Sequence, residues 1–174
     1  MTKYKGKYRI ESTRLKEWDY SNPWWYYATN NTKHHHQHFG NIENNKMNLN
    51  ELGIIVQKCW NDIPNHFPEV ELDYSVIMPN HIHGIIIINP TVETGHAPSL
   101  QKHLPSLSNI IGSFKSAVTK SAYEKGYSSF AWQPRFYDRI VRNEKELASI
   151  RIYIELNPLK WELEKDKLEN IFEL

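Results

Sequence analysis

The stretch His81–Ile88, with the sequence HIHGIIII, constrains the fold more than any other part of the chain. Isoleucine is branched at Cβ and favours extended backbone, so this apolar run predicts a buried strand. A turn at residues 79–80 precedes the strand, and Pro90 ends it. His81 and His83 alternate at its start, so both side chains project from the same face of the strand.

Other segments predict further strands and a hairpin. Aromatic or alternating patterns predict strands at 24–29, 70–78 and 136–142, and polar residues at 43–45 predict the turn of a short hairpin. Within 70–78, strict alternation predicts that every second residue from Val70 onwards lies on one face.

Apolar residues recur at helical spacing in three segments. The first covers 49–63 and is closed by Pro64, the second covers 107–118, and the third starts at residue 143 and is expected to stop at Pro158. This order of strands and helices predicts an α+β fold in which helices pack on one face of a mainly antiparallel sheet.

The length of 174 residues suits a single domain that covers 1–174. The net charge is only +1, but residues 1–20 form a basic N-terminal arm and residues 159–174 an acidic tail. A basic arm can follow a phosphate backbone or be a solvated terminus, and its charge leaves both interpretations open. Residues 89–106 contain several prolines and little periodicity, which predicts a long flexible loop.

Cysteine content and hydropathy narrow the class of protein. Cys59 is the only cysteine, so no disulfide within the chain is expected. It lies on the apolar stripe of the first predicted helix. No segment approaches the roughly 18 apolar residues of a membrane span, and no signal-peptide apolar core follows the basic start. We therefore expect a soluble, cytoplasmic protein without a membrane partner.

The two histidines of the apolar strand are candidate metal ligands. Side by side on one face, His81 and His83 can share one cation through their neutral ring nitrogens. Such pairs are also common as surface or hydrogen-bonded core histidines, and a metal site needs a third ligand. Spacing alone leaves both interpretations open.

The third predicted helix offers two polar groups on one face. Tyr153 and Asn157 are four residues apart, so they lie one above the other beside the apolar stripe of Leu147 and Ile154. The Asn157 carbonyl oxygen suits a hard divalent ion, and the Tyr153 phenol is a nucleophile that can form a covalent intermediate. The alternative is a boundary aromatic residue and a polar residue before proline.

Three blocks of sequence carry a family resemblance. They are VIMPNHIHGIIIINP at 76–90, FAWQPRFYDRIVRNEKEL at 130–147 and YIELNPLKW at 153–161. In this order they resemble the single-tyrosine transposases of the HUH class, named for a histidine, a hydrophobic residue and a histidine. Among these they are most similar to the branch of REP-associated tyrosine transposases. The resemblance extends over residues 14–161.

The resemblance implies a ferredoxin-like (RRM-like) fold and a DNA strand transferase. It assigns Tyr153 as the catalytic nucleophile and His81, His83 and Asn157 as ligands of a divalent metal, Mg²⁺ or Mn²⁺. The implied reaction cleaves and rejoins single-stranded or hairpin DNA through a 5′-phosphotyrosine intermediate. Some relatives act as monomers and others build each site from two subunits, so a homodimer stays open.

Several further residues are candidates for contact with DNA or for catalysis. Tyr137 is a rival nucleophile, but it lies on a predicted strand without a partner at metal-ligand spacing. The histidine-rich segment 34–38 lies in a polar loop, which predicts a solvated segment or one that only grazes DNA. Basic residues that can contact phosphates, or merely be solvated or line the sheet edge, are Lys7, Arg9, Arg14, Arg135, Arg139 and Arg142.

Two other functions compete with strand transfer. One is a non-catalytic binder of structured single-stranded DNA or RNA, which is a domesticated transposase. The other is a metal hydrolase of small phosphate esters, which has no need of Tyr153.

Overall fold

The computed structural model describes residues 3–4, 7–8, 14–90 and 104–172, with side chains described for 14–90 and 104–164. Residues 91–103 of the predicted loop and Arg9 of the predicted arm lie outside the described residues. No helix in the described part of the chain has both the length and the apolar character that crossing a membrane requires.

The described chain contains eight strands and four helices. The strands are β1 (Lys3–Tyr4), β2 (Lys7–Tyr8), β3 (Trp25–Asn31), β4 (Gly40–Glu43), β5 (Lys46–Leu49), β6 (Val70–Met78), β7 (His81–Ile88) and β8 (Tyr137–Ile140). The helices are α1 (Glu51–Asn61), α2 (Ile63–His66), α3 (Leu107–Glu124) and α4 (Glu144–Phe172). A short 3₁₀ turn at Lys33–His35 follows β3.

Four strands form the central sheet in the order β6-β7-β3-β8, and every neighbouring pair is antiparallel. Along the chain, the order of β3, α1, β6, β7, α3 and β8 is strand, helix, two strands, helix, strand. This order and this arrangement of strands are those of a ferredoxin-like fold, so the predicted α+β class is confirmed. The predicted hairpin is also present, as β4 and β5 with Asn44 and Asn45 at positive φ between them.

One face of the sheet packs against α1 and α3. Alternate residues of β3 and β7, including Ala28 and Ile86, share an apolar core with Leu52 and Ile110 of these helices. Gly84 belongs to this face, and a Cβ atom at that position would collide with the indole of Trp60. A glycine in the HIHG sequence therefore lets α1 pack closely on β7.

The opposite face of the sheet packs against α4. Tyr27, Ile85 and Val141 from the sheet side form a second, smaller core with Leu147 and Ile154 of α4. The prediction of helices on one face therefore describes α1 and α3, whereas the third long helix covers the other face. His83 and Ile85 share a face of β7, so the histidine pair starts on the side of α4.

The prediction that Pro158 stops the last helix is wrong, because α4 continues to Phe172. A proline inside a helix lacks an N–H donor and crowds the carbonyl four residues earlier. Here the segment beyond Pro158 packs against the β4–β5 hairpin, where the Asn45 amide donates to the Glu162 carboxylate at 2.5 Å. The residues predicted as an acidic tail therefore continue α4 as far as Phe172.

The prediction of one continuous apolar face along β6 is also wrong. The register with β7 shifts between Leu72 and Ser75, which marks a β-bulge. Val70 and Leu72 consequently pack with the core under α1 and α3, whereas Val76 packs with the core under α4.

Candidate functional site

The histidine pair is the centre of the candidate site. His81 and His83 lie at the start of β7, where their rings are 4.4 Å apart between centroids and their Nε2 atoms are 2.9 Å apart. Two nitrogen atoms at this distance share either a proton or a cation, since two lone pairs would otherwise face each other. His83 is buried, with only 5% of its surface exposed.

The turn before β7 fixes the orientation of the His81 ring. Asn80 donates from Nδ2 to the carbonyl oxygen of His35 at 3.1 Å, so its Oδ1 is the atom that lies 2.6 Å from His81 Nδ1. An amide oxygen only accepts, so His81 Nδ1 carries the proton. His81 Nε2 is therefore left with a lone pair directed at His83.

The neighbouring strand holds His83. Thr29 is the cross-strand partner of His83, and its hydroxyl lies 2.8 Å from His83 Nδ1, while the Tyr27 hydroxyl lies 2.7 Å from the same atom. Hydroxyls both donate and accept, so these partners support His83 with its proton on Nδ1. In that tautomer both Nε2 lone pairs converge, as metal-ligating histidines with an outer hydrogen-bond partner do.

Burial keeps both imidazoles neutral. It lowers the pKa of His81 to about 4, with His35 contributing a smaller effect, and it lowers the pKa of His83 to about 3, with His81 contributing. Burial also raises the pKa of the Tyr27 phenol far above its usual range, so Tyr27 stays a hydroxyl. At neutral pH the pair therefore offers uncharged nitrogens, the form that binds a metal ion.

Tyr153 lies next to the histidine pair. Its ring is 5.4 Å from the His83 ring and 6.4 Å from the Tyr27 ring between centroids, both in edge-on contact. The side chain is 42% exposed, so its ring contacts the site while part of it faces solvent. The Lys160 ammonium lies 5.8 Å from the same ring and adds a positive charge beside it.

Asn157 lies between two aromatic residues that contact the pair. Tyr153 contacts His83, and Trp161, eight residues later on α4, contacts His81 with 5.9 Å between ring centroids. Asn157 is one helical turn from each, so it shares their face of α4, and it is buried, with 7% of its surface exposed. The face of α4 that carries Asn157 therefore lies towards the two histidines.

The donor set fits a divalent cation. The Nε2 atoms of His81 and His83 face each other at 2.9 Å, and neutral imidazole nitrogens are ligands that divalent transition-metal ions accept. In the described part of the chain, no three His, Cys, Asp or Glu side chains form a metal-binding group. Amide oxygens also suit hard divalent ions, so Asn157 on the facing helix is a candidate third ligand.

Comparison with known proteins adds a relative and a shared fold. The chain is 38% identical over 171 residues to a protein of Haemophilus influenzae, and the match covers 92% of this chain and 95% of that one. The chain belongs to the same family as that protein. The relative is described only as an uncharacterized protein, so it assigns no activity. The sequence matches no family model.

A solved structure of a REP-associated tyrosine transposase bound to a REP hairpin has the same fold. The TM-score is 0.54 with 19% sequence identity, and the match covers 87% of this chain and 74% of that one. At this level of identity the likeness shows a transposase-like fold and no more.

Sequence analysis missed four residues that contact the histidine pair in the structure, which are Tyr27, Thr29, Asn80 and Trp161. Tyr27 and Thr29 come from a strand that is far away in sequence, and only the register between β3 and β7 brings them to His83. Trp161 lay in a matched block and could have been found from its spacing of four after Asn157. Asn80 had been interpreted only as part of a turn.

The rival nucleophile Tyr137 contacts Tyr27 and is further from the histidine pair than Tyr153 is. It is 50% exposed on β8, and its ring contacts Tyr27 at 6.3 Å between centroids. Tyr153 contacts both Tyr27 and His83. The structure therefore offers Tyr137 as a matched control for Tyr153.

The predicted phosphate-binding residues fall into different environments. Arg14 is held inside the fold, donating to Asp138 at 2.8 Å and to Ser108 at 2.6 Å while its guanidinium lies over the Phe136 ring. Arg139 pairs with Glu146 at 2.5 Å. Arg135 is exposed and has a positive φ of 70°, and Lys7 lies in β2.

A basic groove leads along α4 to Tyr153. This shallow groove has a volume of about 490 Å³, and Arg142 and Lys145 line it together with Ser149 and Tyr153. Both cations are exposed, and neither has a carboxylate partner among the described residues. Arg142 and Lys145 are therefore the cations best placed for an anionic ligand that reaches Tyr153. The sequence pattern had singled out Arg142 but not Lys145.

The histidine-rich segment 34–38 does not join the pair. The His34, His36 and His38 rings follow one another at 5.9 and 6.1 Å between centroids, and the first two are exposed. The segment is bound to the turn before β7 through backbone contacts, since the amide of His38 donates to the carbonyl of Pro79 at 2.8 Å. The rings of His34, His36 and His38 contact one another and Phe130, whereas His35 lies close enough to contribute to the lowered pKa of His81.

Proposed function

We propose that this protein is a metal-dependent single-tyrosine transposase-like enzyme that cleaves and rejoins single-stranded DNA. One observation carries the proposal: the half-exposed ring of Tyr153 lies 5.4 Å from His83, whose Nε2 faces that of His81 at 2.9 Å. A nucleophile beside a convergent nitrogen pair suits phosphoryl transfer. The shared fold with a tyrosine transposase supports this proposal.

The Tyr153 oxygen forms the new bond in the first step. It attacks the phosphorus of a phosphodiester in line with the 3′ oxygen, the bond from phosphorus to that oxygen breaks, and the phenolic proton passes to solvent. The departing 3′ oxygen takes up a proton from solvent, so the products are a 5′-phosphotyrosine and a strand with a free 3′-hydroxyl. Attack by another 3′-hydroxyl restores a phosphodiester and releases Tyr153, so no nucleotide cofactor is consumed.

His81, His83 and Asn157 would hold a divalent cation, Mg²⁺ or Mn²⁺. When bound there, the cation would supply positive charge that offsets the charge of the phosphate and would help to orient it for displacement. Tyr27, Thr29 and Asn80 keep the two imidazoles in place and set their tautomers through the hydrogen bonds described above. Because Tyr153 and Asn157 are one turn apart on one rigid helix, nucleophile and ligand keep a fixed separation.

The substrate class is single-stranded or hairpin DNA. Arg142 and Lys145 in the groove are suited to contact backbone phosphates upstream or downstream of the cleaved bond. Their exposure favours an electrostatic, salt-dependent contact, because displaced counterions drive such binding. The solved transposase of the same fold is bound to a hairpin, which supports the choice of hairpin DNA as the first substrate to test.

A labelled-strand assay tests the mechanism. The full chain is incubated with Mn²⁺ and hairpin DNA with single-stranded flanks, labelled at either the 3′ or the 5′ end, and separated on a denaturing gel. We expect the 3′-labelled fragment to migrate with the protein and the 5′-labelled fragment to be released. Tyr153→Phe should lose the adduct, whereas Tyr137→Phe, the matched control on β8, should retain it.

Two outcomes would overturn the proposal. Cleavage without an adduct that survives in Tyr153→Phe would indicate a metal hydrolase. Tight binding of hairpin DNA with neither cleavage nor adduct in Mn²⁺ or Mg²⁺ would indicate a non-catalytic binder.

A further inference from the structure

A pocket lies at the end of the sheet where β3 begins and β7 ends. Its volume is about 350 Å³, near the lower end of the range of about 300–1,000 Å³ that is usual for sites of small organic groups. Trp24, Trp25, Ile87 and Val141 line this tryptophan pocket with aromatic and aliphatic surface. His81 lies at the opposite end of β7, so the pocket is separate from the candidate metal site.

Trp24 gives the tryptophan pocket a fixed aromatic surface. Its side chain is 42% exposed, yet the indole nitrogen donates to the carbonyl oxygen of Val141 at 2.6 Å. The ring also packs edge-on against Trp18, with 5.8 Å between centroids. A ring that is exposed but already held in place loses little conformational entropy when a ligand stacks on it. The planar bases of single-stranded nucleic acids are ligands that stack on such rings.

The tryptophan pocket is continuous with the basic groove that leads to Tyr153. Arg142 and Asn143 line both of them, and Lys145 lines the groove next to these two residues. Exposed cations in such a groove are suited to the phosphates of a DNA backbone. A DNA strand whose phosphates contact Arg142 and Lys145 therefore brings its bases within reach of the tryptophan pocket.

The charge of the tryptophan pocket favours a base over a phosphate. Glu144 lines this pocket but not the groove, whereas the carboxylate that lines the groove, Glu146, is paired with Arg139. The carboxylate of Glu144 repels a phosphate, but it accepts hydrogen bonds from the amino groups of cytosine, adenine or guanine. Thymine presents a carbonyl oxygen and no amino group, so it is the base that suits this carboxylate least.

We propose that the tryptophan pocket binds one unpaired base of the DNA strand that lies in the groove, a few nucleotides from the cleaved bond, and prefers a base with an amino group to thymine. The inference rests on the proposed function, because that function supplies the DNA strand. Trp24 stacks on the base, Glu144 accepts from its amino group and Arg142 contacts a neighbouring phosphate. These contacts fix the register of the strand, so that one particular phosphodiester bond lies at Tyr153.

Removal of single bases from the DNA tests the stacking contact. Hairpin DNA with single-stranded flanks, in which one flanking base at a time is missing, is titrated with the full chain carrying Tyr153→Phe, so that fluorescence anisotropy measures binding alone. We expect one flanking position at which loss of the base lowers the affinity at least about fivefold, the lower end for one base stacked on an aromatic ring. Adding Trp24→Leu should weaken binding of the complete DNA and abolish the dependence on that position. Adding Trp24→Phe, which keeps an aromatic ring, should retain it.

A matched control and a change of base complete the test. Tyr123 is 53% exposed on α3, which covers the other face of the sheet, so Tyr123→Ala should keep both the affinity and its dependence on that position. At the same position, DNA with cytosine should bind several-fold more tightly than DNA with thymine. Glu144→Gln should remove most of this preference, because an amide can also donate to the thymine carbonyl. Circular dichroism checks that every variant is folded.

The outcomes separate the base contact from the proposed strand transfer. If no flanking position matters, or if Trp24→Leu binds as tightly as the parent chain, the base contact is wrong even where the labelled-strand assay detects an adduct. If one base depends on Trp24 but no adduct forms, the base contact stands and the strand transfer is wrong. Equal affinity for cytosine and thymine would rule out the role of Glu144, and a chain that binds no DNA would overturn both proposals.

Discussion

The protein contains two groups of histidines that differ in almost every physical respect. His81 and His83 begin a central strand, are largely buried and place their Nε2 atoms 2.9 Å apart. Segment 34–38 forms a 3₁₀ turn and its continuation. The rings of His34, His36 and His38 follow one another at 5.9 and 6.1 Å between centroids, and His34, His35 and His36 are exposed. The longer run of histidines is the less organised group.

The difference shows that hydrogen-bonded neighbours, more than the number of imidazoles, orient the ring nitrogens of the proposed metal site. The pair has an outer partner for each Nδ1, which are Asn80 for His81 and the two hydroxyls of Tyr27 and Thr29 for His83. Segment 34–38 instead contributes backbone, since the carbonyl of His35 holds Asn80 in place. The run of histidines thus supports the pair from outside.

The sharpest way to break this comparison is to remove one histidine from each group. His81→Ala should abolish Mn²⁺ binding and cleavage of hairpin DNA, because one nitrogen alone cannot define the site. His36→Ala should leave both unchanged. Isothermal titration with Mn²⁺ and the adduct gel measure the two effects, and circular dichroism confirms the fold. Equal losses in the two variants would show that the exposed histidines belong to the metal site.

A smaller effect is expected from the outer partners. Thr29→Val keeps the shape of the side chain and removes the hydroxyl beside His83 Nδ1, which should lower Mn²⁺ affinity by about 10- to 100-fold. Thr119→Val is the control, because the Thr119 hydroxyl donates to the Lys115 carbonyl within α3. An unchanged affinity in Thr29→Val would mean that the Tyr27 hydroxyl alone orients the ring.

The arginines also divide into one that is hydrogen-bonded within the fold, Arg14, and one that is exposed, Arg142. Replacing them is expected to have the smallest effect of the three comparisons on DNA binding. Arg142→Ala should weaken binding of single-stranded DNA a few-fold and reduce the slope of log K against log salt by about 0.7. Arg14→Ala should leave that slope unchanged and destabilise the fold by roughly 1–3 kcal/mol, since it leaves the Asp138 carboxylate without its 2.8 Å partner. Fluorescence anisotropy at several salt concentrations and urea unfolding separate the two. A reduced salt slope in Arg14→Ala would place Arg14 at the DNA.

Much of the fold could be predicted because its signals are local. The strand His81–Ile88 was predicted with the bounds that the structure has, and the helical periodicity from residue 107 found the start of α3. The end of α4 could not be predicted, because proline normally ends a helix. Here the helix continues beyond Pro158, where its later residues pack on the β4–β5 hairpin. The bulge in β6 was also hidden, since strict alternation is the default for a strand.

For the site, the sequence by itself determined which side chains share a face of a strand or of a helix. Alternation aligned His81 with His83, and helical spacing aligned Tyr153 with Asn157, because both patterns depend only on backbone geometry within one element. The tertiary structure decided that these two faces meet. It placed α4 on the sheet face opposite α1 and α3, and it set the register that brings Thr29 to His83. Those choices depend on the packing of residues far apart in the chain, which no local pattern encodes.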